Sequence, residues 1–188
     1  MQRYLYGSRI QHAWATAVEI VGLFTGQAIK SNEGKQEWKD FFKLISSAFA
    51  KMEKRPEVSD TPADPDELYT EIKQRADNLK IFSKMSAWSS VIKTIEPHTK
   101  ELHYFLLELD VTEGQEQLNV RGYHSEEEPL ATDHYLQAEK AQGGNPNKDV
   151  VLVGAKSVEE LKMAYLNYFV NTQDFLNYLK QYLDKKVI

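Results

Sequence analysis

At Leu102 the spacing of apolar residues changes, and this change restricts the fold more than any other feature of the chain. Upstream, apolar side chains recur every three or four residues, the period of a helix with one buried face. Downstream they come in short runs and in alternation, the pattern of strands. Helices first and strands only later predict an α+β fold with a small sheet. The chain has 188 residues, 41% of them hydrophobic, enough for one domain or for two small ones sharing a core.

The first helical pattern runs from Arg9 to Lys30, with Ile10, Trp14, Ala17, Val18, Val21, Phe24 and Ala28 on one face. Ser31, Asn32 and Gly34 break it. Trp38, Phe41, Phe42, Ile45, Phe49 and Met52 mark a second helix, so an antiparallel hairpin is expected. The three prolines between Pro56 and Pro65 make a loop. Asp64 then caps a third helix, with Pro65 in its first turn and Glu67 at the capping-box position. That helix carries Leu68, Ile72 and Ala76, bends near Asn78, and continues through Met85, Trp88 and Ile92 until Pro97 stops it.

LHYFLLELD, from Leu102, reads as a buried strand. Asp110 to Gly114 supply a turn, and Leu118 to Tyr123 a half-exposed partner strand. Glu126, Glu127 and Glu128 are expected in a solvated loop, since like charges repel and avoid a core. Thr132 is read as the cap of a short helix through Tyr135 and Ala138. GGNPN, 143 to 147, is a loop, and DVVLVGA a second buried strand. Ser157 and Thr172 are read as caps of two last helices. The expected organisation is a helical part, 1–98, and a ββαβαα module on a three-stranded sheet, 99–188.

Composition narrows function mainly by exclusion. There is no cysteine, which removes disulfides, thiolate metal sites and thiol catalysis. The five histidines are scattered, with no pair at metal-ligand helix spacing, so no metal site is expected. A net charge of −5 argues against a general nucleic-acid surface. No stretch is apolar for long enough to span a bilayer, and MQRYLYGS lacks the apolar core of a signal peptide. A cytoplasmic protein is the simplest expectation.

Two groups of residues stand out as candidates. His12, Trp14 and Glu19 share the first helix, with His12 and Glu19 two turns apart on about the same face. They are either the floor of a nucleotide site or a packed tryptophan between two surface side chains. Tyr165 and Tyr168, preceded by Ala164, are three apart. On one helix they present two ring faces together, either to stack on a base or to fill a core.

QHAWATAVE, followed by a VG step and GQA, resembles the helix that follows the last catalytic strand of the RelA/SpoT synthetase fold. In that family the strand ends in a Glu-x-Gln-x-Arg-Thr pattern. Here Arg3 stands at the glutamate position and Gly7 at the arginine position. The resemblance therefore implies that the groups binding ATP and magnesium precede this chain, and that the chain alone is not a catalyst. It implies an internal start, a disrupted gene or a truncation. AYxxYF resembles the C-terminal module of the CapRel group, RelA/SpoT toxins fused to their own inhibitor for phage defence. That module is a zinc-finger-like domain without metal cysteines. There the resemblance implies that Ala164, Tyr165 and Tyr168 form a neutralising motif that closes the toxin's adenine site, and that a phage protein releases it. The expected partners are an N-terminal synthetase half and a phage protein. Two alternatives stay open: a fragment of a guanosine tetra- or pentaphosphate synthetase, and a helical adaptor unconnected with nucleotides.

Overall fold

A computed structural model describes residues 8–26 and 32–184. The fold is α+β. Four helices come first: α1 (Arg9–Gly26), α2 (Asn32–Met52), α3 (Pro65–Asn78) and α4 (Ile81–Ile95). The hairpin β1 (Tyr104–Asp110) and β2 (Gln117–Tyr123) follows, then α5 (Glu128–Gln142), β3 (Lys148–Gly154), α6 (Ala155–Ala164) and α7 (Tyr168–Asp184). The sheet is antiparallel throughout, in the order β2-β1-β3.

Local chemistry sets most of the boundaries. The Ser8 hydroxyl accepts the Gln11 N–H at 3.2 Å while the Gln11 amide oxygen accepts the Ser8 N–H at 3.1 Å, so two open donors at the start of α1 are satisfied together. Asp64 caps α3 as its sequence predicts, accepting the N–H groups of Asp66 and Glu67 at 2.8 and 2.9 Å. The expected bend becomes a break between α3 and α4, where Lys80 takes a left-handed conformation with φ of 53°. Pro97 sits in a 3-10 turn, Glu96–His98, directly after α4.

The two faces of the sheet differ. Phe105, Leu107 and Leu109 of β1, with Val151 and Val153 of β3, join the large core built on the helices. Leu106 and Val150 face the other way, into a smaller cluster with Tyr123 and with Ala131 and Tyr135 of α5. Strands β1 and β3 are thus covered on both sides, which is why they read as nearly unbroken apolar runs. Strand β2 is an edge, and Leu118 and Val120 stay exposed on the helix side. Gly122 allows the chain to close over this edge: a Cβ there would lie 2.2 Å from the Leu102 Cδ1. The large core runs unbroken from Ala13 to Leu179, across the boundary at residue 98. Phe42 and Phe49 of α2 reach Phe175 of α7 with ring centroids 5.8 and 5.9 Å apart.

Four local expectations are corrected. Glu126 and Glu127 lie in a 3-10 turn, Ser125–Glu127, and Glu128 begins α5. The stretch is solvated as expected, with Glu126 and Glu128 exposed, but it is helical and not a loop, because helix N-termini favour carboxylates and Pro129 suits the first turn. Thr132 is inside α5, its hydroxyl donating to the Glu128 carbonyl. Gly154 holds the cap position of α6 and Ser157 lies within the helix. Thr172 is a buried residue of α7, donating to the Tyr168 carbonyl at 2.7 Å. Each hydroxyl bonds back along its own helix or lies within it, so cap chemistry by residue type misplaces the start by three to five positions. Of the expected break after the first helix, Asn32 and Gly34 belong to α2, while Ser31, Ala28 and Lys30 lie outside the described residues. So do Arg3 to Gly7.

Candidate functional site

Helices α1 and α7 run side by side, and their polar contacts order the candidate residues. Arg9 reaches Asp174 through two hydrogen bonds of 2.9 and 3.3 Å. One helical stretch further along, Asn171 donates to the buried Thr16 hydroxyl at 3.1 Å. At the far end Glu19 faces Tyr165. Glu19, Gly22 and Leu23 of α1 and Leu161, Ala164 and Tyr165 line one open groove. Burial, then the neighbouring Glu19 carboxylate, pushes the Tyr165 hydroxyl above its ordinary pKa.

The structure therefore brings together Glu19, Ala164 and Tyr165, and separates the other three. His12 is exposed on α1, with no resolved place in the groove. Trp14 faces α2, edge-on to Phe42 with centroids 6.3 Å apart, and its indole N–H approaches the Phe42 carbonyl at 3.4 Å. Tyr168 is buried in the core.

The expected tyrosine pair on one helix is corrected. Tyr165 closes α6 in a non-helical conformation, with φ of −133°, and α7 starts only at Tyr168. The chain reverses between them through a turn in which the Tyr168 N–H donates to the Tyr165 carbonyl at 2.9 Å. The two rings then serve different surroundings. Tyr165 is half-buried at the groove. Tyr168 inserts beneath the turn, where burial and then Glu96 push its hydroxyl up to about 12. Glu96 also pairs with Lys162, which ties the end of α4 to α6.

Sequence spacing did not show that residues around the turn stay exposed. Met163, Leu166 and Val170, which flank Tyr165 in the sequence, are exposed, Leu166 at 86%. A visible signal existed: MAYLNYFV is apolar at more positions than one helix face can bury. Beside the turn Lys93 sits 3.2 Å from the centre of the Phe169 ring, a cation–π contact that fixes one side of the turn.

Among the described residues no group of three or more His, Asp or Glu stands close enough to hold a metal ion. No helix among them is long and apolar enough to cross a membrane. No protein-family model matches this chain, and no curated protein does.

Proposed function

We propose that this chain is a catalytically incomplete, C-terminal part of a RelA/SpoT-family nucleotide pyrophosphokinase. It acts in the cytoplasm by binding, as an inhibitory or phage-sensing module. One observation carries the reading. The helix that resembles the synthetase fold and the motif that resembles the CapRel inhibitor meet, with Glu19 and Tyr165 lining one groove. Two unrelated chance resemblances, so far apart in the chain, give no reason for their residues to converge.

On this reading the corner at Tyr165 docks on the synthetase half, which supplies the site for ATP and magnesium. Tyr165 lines the groove at this surface, and Leu166 and Met163 add exposed apolar area. Tyr168 takes no direct part, because its ring is committed to the core. A phage protein that binds the same module would compete for this surface.

The test has two arms. The chain is incubated with ATP, magnesium and either GTP or tRNA, and pyrophosphate transfer is measured; none is expected. It is then titrated into a RelA/SpoT-type synthetase domain that makes the transfer. A falling rate supports the proposal. Transfer by the chain alone, or an unchanged rate at saturating chain, overturns it.

A further inference from the structure

Another groove opens on the α2 side of α1, whereas the groove that holds Tyr165 lies on its α6 side. Its volume is about 440 Å³, within the ~300–1,000 Å³ of small-molecule sites. Trp14, Val18 and Val21 of α1 and Trp38 and Phe42 of α2 make its walls. Trp14 and Val18 are only half-buried, so they present apolar surface to whatever enters. Gly22 also lines the groove, and a Cβ there would meet nothing within 4 Å. The fold therefore does not require a glycine at this point of the helix, and its missing side chain widens the groove. The polar groups of the walls are already committed: the Thr25 hydroxyl donates to the Val21 carbonyl at 2.7 Å, and the Trp14 indole N–H turns to the Phe42 carbonyl. What remains is charge at the rim. Lys39 and Lys43 stand one turn apart on α2, both exposed. Among the described residues Lys39 has no ion pair, and Lys43 meets Asp60 at 3.6 Å, with the Asp60 side chain 87% exposed. Such an exposed pair is weak, and another carboxylate replaces it at little cost.

We infer that this groove binds a free medium-chain fatty acid, with its alkyl chain along the apolar walls and its carboxylate at Lys39 and Lys43. A trough whose walls hold no open hydrogen-bonding group rejects sugars and bases, which would leave their own polar atoms unpaired. It accepts methylenes, each of which gains by leaving water. The two ammonium groups on one rim then select an anionic head over a cationic one. Among the described residues no carboxylate lines the groove to oppose that head.

The site is tested on the full chain by following the three tryptophan indole N–H signals by NMR during titration with decanoate, hexanoate or decylamine. The Trp14 signal is assigned with Trp14→Phe, or by elimination with Trp38→Phe and Trp88→Phe. Decanoate is expected to shift it and to bind about tenfold or more tightly than hexanoate, because the longer chain takes more methylenes out of water. Decylamine, with the same chain and the opposite charge, should bind about fivefold or more weakly than decanoate. Val18→Glu should weaken decanoate binding about tenfold or more, and Lys39→Glu about threefold or more. Lys39 is exposed, so Lys39→Glu decides the matter if Val18→Glu does not fold. The inference is overturned if decanoate leaves the Trp14 signal unmoved at millimolar concentration, even where phosphatidylglycerol vesicles move it, if decylamine binds equally well, or if Lys39→Glu binds like the parent.

Discussion

Tyr165 and Tyr168 stand three residues apart and belong to two different regions of the molecule. Beneath the turn, Tyr168 joins a core in which Phe175, Phe42 and Phe49 interlock. Around it, Met163, Leu166 and Val170 are exposed, while Tyr165 is half-buried at the margin of the same core. The lower region holds the fold together, and the upper one leaves apolar side chains exposed. An apolar residue's spacing shows that it seeks cover. It does not show whether the cover comes from its own chain or from another.

Substitutions can break this contrast, and the core should respond most. Phe175→Ala removes a fully buried ring and should cost about 3–5 kcal/mol in denaturant unfolding. Tyr168→Ala should follow, at about 2–4 kcal/mol, because it opens a cavity under the turn and leaves Glu96 and Lys162 without their cover. A loss under about 1 kcal/mol for either would place these rings outside the cooperative core.

Alkali sharpens the comparison. The Tyr168 hydroxyl, and Tyr135 across the sheet, are pushed up to about 12 by burial first and then by Glu96 and Glu139 respectively. An acid whose folded pKa exceeds its unfolded value near 10 favours the folded state while protonated, since the unfolded chain ionises first. That contribution is intact below about pH 10 and is lost as pH rises towards about 12. The melting temperature should fall through this window, and Tyr168→Phe and Tyr135→Phe should each flatten the fall. An equally steep fall in both variants would show that other groups cause it. The smallest effects belong to the corner: Tyr165→Ala and Leu166→Asp should change stability by less than about 1 kcal/mol, read from the same unfolding curves.

Much of the architecture was legible before the structure. The α+β order follows from the period change at Leu102, and β1 reads as a buried run because helices cover it on one side and α5 on the other. The Asp64 cap is legible because an aspartate before a proline has one good use there. Thr132, Ser157 and Thr172 show the limit, since a hydroxyl inside a helix can bond to the preceding turn as readily as cap a new one. Of the candidate site, Glu19 and Tyr165 were named from motifs, yet their meeting depends on how α7 packs along α1. The different fates of Tyr165 and Tyr168 depend on a turn that no local spacing announces.

The central claim is that the corner, and not the core beneath it, makes the inhibitory contact. Its most direct test is the concentration of chain that halves the rate of a RelA/SpoT-type synthetase domain, measured for the parent, Tyr165→Ala, Leu166→Asp and Tyr168→Phe. The account predicts that Tyr165→Ala and Leu166→Asp require about tenfold more chain or worse, the loss of a contact at a docking centre, while Tyr168→Phe matches the parent. Parent-like inhibition by Leu166→Asp and Tyr165→Ala, with inhibition lost in a folded Tyr168→Phe, would contradict it.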